Sequence, residues 1–160
     1  MKTLTLITVL VLSLPVFANR AEMQTLMQIT NGSMYGGQVP AGYTSTLQTN
    51  FRPTGKLKAF IARKTQQKQR AWRNFVLTSG EYQGTAAELE RIAANPLSTL
   101  EVATLLEVSE VYAIYKDGQH IGYHLEIIDF VQSQIYQDGA WYELFIDEAH
   151  NVVKVYEESA

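Results

Sequence analysis

The chain of 160 residues contains no cysteine. Disulfides, thiol catalysis, cysteine-ligated zinc and lipidation of an N-terminal cysteine are thereby excluded. Small exported domains often use bridges to replace a missing core; this one has to fold by burial alone, and its length is enough for one core of ordinary size. Acid is missing from a long stretch as well: between Glu22 and Glu81 there is not one Asp or Glu. No apolar run reaches the roughly 20 residues that a membrane-spanning helix needs.

What is present starts with an export pattern. Lys2 is followed by a nearly unbroken apolar run, Leu4 to Leu14, then by Pro15. Val16 and Ala18 stand at the −3 and −1 positions of a cut before Asn19. This is the build of a cleaved secretory signal, residues 1–18. A retained anchor is the alternative, but Asn19, Arg20 and Glu22 end the run too early for it. The single lysine at the start has a bacterial look, and the periplasm is the expected address, with the medium as the other destination.

Charge divides the rest of the chain. Residues 23–80 carry Arg52, Lys56, Lys58, Arg63, Lys64, Lys68, Arg70 and Arg73 with no acid among them. From Glu81 onward there are fifteen carboxylates, opposed by Arg91, Lys116 and Lys154. Such asymmetry marks either two parts that neutralise each other or a basic face held for an anionic partner. Lys64, Lys68, Arg70 and Arg73 are the candidate binding residues of that face. Phe60 and Trp72 are too few to build a base-stacking platform, which disfavours nucleic acid.

The pattern divides the chain further. Residues 19–50 read as a short helix around Met23, Leu26 and Met27, followed by a flexible segment with Gly32, Gly36, Gly37 and Gly42. No Gly-Lys-Ser/Thr follows these glycines, so they make no phosphate loop and imply no cofactor. Residues 51–160 read as a single α+β domain. Leu57, Phe60, Ile61, Trp72, Phe75 and Val76 give one helical face over 57–78, with Gly80 as its cap. Thr85 with Glu88 forms a capping box for a short helix that Asn95-Pro96 stops. Ser98 with Glu101 is expected to start another that includes Leu100, Ala103, Leu105 and Leu106.

From Glu110 the period changes to two. Asp117-Gly118 and Asp138-Gly139 are hairpin signals. Folding about the first sets Tyr115 against His120, Ile114 against Ile121 and Tyr112 against Tyr123. Folding about the second sets Tyr136 against Trp141 and puts Val131, Ile135, Tyr142, Leu144 and Ile146 on one face. A third turn, Asp147 to Asn151, returns as Val152 to Tyr156. The expected fold is α+β: N-terminal helices packed on a four- to five-stranded antiparallel C-terminal meander.

Chemistry is sparse. His120 and His124 on one strand stand about 13 Å apart, too far to share a metal ion. Glu126, Asp129, Glu143 and Asp147 are carboxylates without a motif around them, and Gly-x-Ser-x-Gly is absent. No catalytic residue, metal ligand or cofactor is assigned. Tyr136, Trp141 and Phe145, expected together on the face away from the aliphatic core, form the second candidate binding group. The expected function is that of an exported, non-enzymatic binding or accessory protein, such as an inhibitor or immunity-type partner of another protein. The alternative is a cell-envelope ligand binder that uses the basic segment 56–73. A hydrolase with paired carboxylates is the third reading.

Overall fold

The computed structural model describes residues 40–159, with the side chains of Lys154 and of residues 156–159 left aside. The segment read as an export signal and the helix expected at 20–30 lie outside the described residues.

Four helices and five strands follow one another: β1 (Tyr43–Leu47), α1 (Gly55–Thr78), α2 (Ala86–Ala94), α3 (Pro96–Leu100), β2 (Leu106–Lys116), β3 (Gln119–Asp129), α4 (Phe130–Tyr136), β4 (Ala140–Ile146) and β5 (Val152–Ser159). The strands form one antiparallel sheet in chain order. This is the expected α+β architecture, with three of the helices ahead of the meander.

α1 forms where the apolar spacing predicts it. Its first half lays Leu57, Phe60 and Ile61 on the sheet residues Val111, Leu125, Ile127, Tyr142, Leu144 and Ile146. Its second half turns Trp72, Phe75 and Val76 into a separate core with Ala93, Leu105 and Val131. One helix thus carries two cores, and Trp72, fully buried, donates its indole N–H to the Ile92 carbonyl at 3.3 Å. Gly80 follows the helix at φ +79°, the left-handed position that glycine fills without a Cβ clash. α2 opens on the expected capping box. The Thr85 hydroxyl accepts from the Glu88 amide, and the Glu88 carboxylate accepts from the Thr85 amide at 2.7 Å.

Four expectations need correction. The segment expected to be flexible ends in a strand: β1, with three consecutive Thr and Ser residues, pairs with the edge of β2. Its hydroxyl-bearing residues suit an extended edge. The helix expected from Ser98 instead starts at Pro96, whose fixed φ suits a first helical position, and stops at Leu100. Glu101 is left-handed, and the chain leaves it to bury Leu105 with the helices and Leu106 under the sheet.

The Asp117-Gly118 hairpin forms with both residues at positive φ, and Tyr115 faces His120 as expected. Beyond that pair, Ile121 is bulged out and Ile114 faces Gly122. One extra residue exchanges the faces of everything after it. Tyr112 therefore stands opposite His124, and Val111 joins Leu125 in the core.

The second Asp-Gly pair closes no hairpin. Residues 130–136 are α4, N-capped by the Asp129 carboxylate, which accepts from the Gln132 amide at 2.9 Å. α4 ends on left-handed Gln137, and the chain then enters β4. Tyr136 and Trp141 are consequently not a cross-strand pair.

Candidate functional site

The seven candidate binding residues do not form the two groups expected of them. Lys64 and Lys68 point inward. Lys68 Nζ lies 2.7 Å from Asp129 Oδ2 and donates to Gln132 Oε1 at 3.2 Å. The contact with Asp129 is ionic, since Oδ2 accepts no well-aligned hydrogen bond. Both ammonium groups stand over the Tyr142 ring, 4.9 Å from its centroid for Lys64 and 5.2 Å for Lys68. These two lysines close the basic part of the chain onto the acidic part.

The opposite side of α1 stays outside. Lys56, Arg63 and Arg70 are exposed and recur every seven residues, which places them along one stripe with steps of about 10 Å. None of the three forms an ion pair among the described residues. Arg63 stands over the Phe60 ring. Arg73 is exposed too, but its guanidinium holds Glu90 of α2 at 2.6 Å. Between α1 and the end of α2 runs an open groove of about 520 Å³, with Gln66, Gln69, Arg70 and Arg73 on one side and Ala93, Ala94 and Pro96 on the other.

The aromatic group dissolves. Tyr136 is exposed on α4, whereas Phe145 is buried, its ring centred 4.9 Å from that of His124. Only Trp141 is half-buried on the sheet face away from α1. Spacing alone misled here: Val131 and Ile135 are four residues apart, a distance that both a strand and a helix place on one side.

That sheet face carries a feature the sequence reading missed. Glu110 of β2 is opposite Glu126 of β3, and Glu126 is opposite Glu143 of β4. Three carboxylates thus stand in one row across three strands. Tyr112 donates its hydroxyl to Glu110 at 3.0 Å, and Ser109 donates to Glu126 at 3.0 Å. The Tyr112 phenol is pushed above its usual pKa by burial first, then by its hydrogen bond to Glu110 and by the charges of Glu110 and Glu126. His124 is 1% exposed, and its Nε2 lies 3.6 Å from Glu143 Oε2. Neither ring nitrogen makes a hydrogen bond. The row emerges only once the bulges at Ser109 and Ile121 set the register. The signal present in the sequence was the recurrence of Glu at 110, 126 and 143 within strand patterns.

At the far end of the sheet, His150 Nδ1 is hydrogen-bonded to the Thr54 hydroxyl at 2.8 Å, and His120 pairs with Glu148 at 3.2 Å. Both rings pack on Tyr123. This joins the turn before β5 to the start of α1. Among the described residues no group of three His, Asp or Glu side chains converges closely enough to hold a metal ion, and no helix is long and apolar enough to cross a membrane. No family model, curated protein or solved structure matches this chain.

Proposed function

We propose that this is an exported, non-enzymatic binding protein that engages an anionic component of the cell envelope through the outer face of α1. The observation that carries this reading is the division of labour along that helix. Lys64 and Lys68 are used up inside the fold, whereas Lys56, Arg63 and Arg70 stay exposed with no ion pair among the described residues. A one-sided row of cations attracts headgroup or polymer phosphates and carboxylates, and each is worth about 1 kcal/mol near an anionic lipid surface. The groove beside Arg70 and Arg73 adds amide donors from Gln66 and Gln69. The export pattern at residues 1–18 supports the location.

Docking of a protein partner on an exposed aromatic patch has less support. The large apolar side chains that are exposed among the described residues, Leu47, Leu77, Leu97 and Tyr136, are spread over four elements, β1, α1, α3 and α4. The test is co-sedimentation with vesicles. The protein should pellet with vesicles rich in anionic phospholipid, stay in solution with zwitterionic ones, and be released by salt. Lys56→Glu with Arg63→Glu and Arg70→Glu should abolish pelleting while the fold persists. Equal recovery with zwitterionic vesicles would sink the reading.

A further inference from the structure

We infer that the groove between α1 and the end of α2 binds an acidic sugar, with the sugar's carboxylate on Arg70. This rests on the reading above that α1 faces an anionic envelope component, and it names the chemistry of that component. The two walls of the groove differ in kind. Gln66, Gln69, Arg70 and Arg73 are related by steps of three and four residues, so they line one side of α1. Across from them stand Ala94 and Pro96, compact side chains that bring no charge. Arg73 is held by Glu90 at 2.6 Å, which ties this wall to α2. Arg70 is exposed and belongs both to the groove and to the stripe with Lys56 and Arg63. An anion on Arg70 therefore sits in the field that the stripe creates.

The lining selects the class of anion. A side-chain amide offers N–H donors and a carbonyl acceptor, and a hydroxyl likewise donates and accepts. An ionised phosphate offers acceptors alone. Gln66 and Gln69 thus match a polyhydroxylated ring through both halves of their amides, whereas a bare phosphate leaves their carbonyl oxygens unmatched. A planar guanidinium takes a carboxylate through two parallel N–H···O bonds. The wall of Ala94 and Pro96 gives the C–H face of a sugar ring an apolar contact. Among the described residues no aromatic ring lines the groove, so a nucleobase has nothing there to stack on. The volume of about 520 Å³ falls in the range of small-ligand sites, about 300–1,000 Å³. The groove is open, which lets a chain continue beyond the bound unit.

Calorimetric titration of the full chain with trigalacturonate tests this, against the neutral galactose trisaccharide at equal ionic strength. Saturable binding is expected for the acid. The neutral sugar should bind about tenfold more weakly or worse, the loss of one charge-assisted pair. Arg70→Gln should cause the same loss for the acid. Lys58→Gln makes the same change of charge on exposed α1 surface outside the groove and should leave the affinity as it is. Ala94→Trp fills the groove without altering any charge, so it should abolish trigalacturonate binding and still pellet with anionic vesicles. If that variant fails to fold, Gln66→Leu with Gln69→Leu, both exposed, removes the amides instead and should weaken binding by about tenfold. The inference is overturned by an absence of saturable heat, by equal affinity for the neutral sugar, by a loss in Lys58→Gln as large as in Arg70→Gln, or by full binding in Ala94→Trp. Vesicle pelleting without trigalacturonate binding overturns it and leaves the role of the outer face of α1 intact; loss of both overturns the two together.

Discussion

Lys68 Nζ stands 2.7 Å from Asp129 Oδ2, with the two side chains 14% and 2% exposed. This pair pins α1 to the junction of β3 and α4, between the sheet core and the helical core. Asp129 does two things there: one oxygen takes the lysine, and the other caps α4. Removing one partner of a buried pair costs about 3–5 kcal/mol, because the other is left charged and dry. Asp129→Ala should lose at least that much in urea unfolding. Lys64→Glu with Lys68→Glu should unfold the protein rather than merely weaken a ligand. A loss below 1 kcal/mol for Asp129→Ala would mean that water reaches the pair.

Phe145 and Trp141 share a face but differ in burial, 2% exposed against half-buried. Truncating a buried Phe costs about 3–5 kcal/mol. Phe145→Ala should therefore lower stability severely, and Trp141→Ala far less. Tyr136→Ala, exposed on α4, should fall within about 0.5 kcal/mol of wild type. Thermal unfolding of the three variants checks the order, and equal losses at 141 and 145 would contradict the assigned burial.

Much of the fold was legible because its signals are local. The apolar stripe from Leu57 to Val76, the Thr85–Glu88 box and the Asp117-Gly118 turn each report on a few neighbouring residues, and all three stand where expected. What failed was register and period. One bulged residue, Ile121, moves His124 opposite Tyr112, and nothing in the residue types around it announces the shift. The four-residue step from Val131 to Ile135 fits both periods, and the Asp-Gly pair after it favoured the wrong one. The N-cap Asp129 with Gln132 three residues on was the better signal. Of the four basic candidates, only Arg70 and Arg73 are exposed, because composition shows the charge of a helix but not which side of it is dry.

Gly122 stands at φ +147° opposite Ile114, where β3 passes the end of β4. A Cβ added there would meet the Ile146 carbonyl oxygen at 2.2 Å, and that neighbour is backbone. Gly122→Ala must push β3 and β4 apart or shift the bulge. Overpacking of this kind costs about 1–3 kcal/mol, and it should appear as a lowered melting temperature with faster amide exchange at Tyr123 and Ile146. An alanine variant as stable as wild type would show that the strands are free to move.

Thr85 and Glu88 give a prediction that depends on pH. The Glu88 carboxyl is held below its ordinary pKa, first by the backbone amide of Thr85, then by the Thr85 hydroxyl. A carboxyl lowered on folding contributes stability above its unfolded pKa, and that contribution is lost as the pH falls through the folded value. The advantage of wild type over Glu88→Gln should therefore be full at neutral pH and vanish in acid, below the ordinary carboxylate range. Thr85→Ala removes the other half of the box and should cost about 1 kcal/mol. Unfolding curves of wild type and Glu88→Gln across the acid range decide it. A gap that stays constant with pH would show that the glutamine fails for its shape and not for its missing charge.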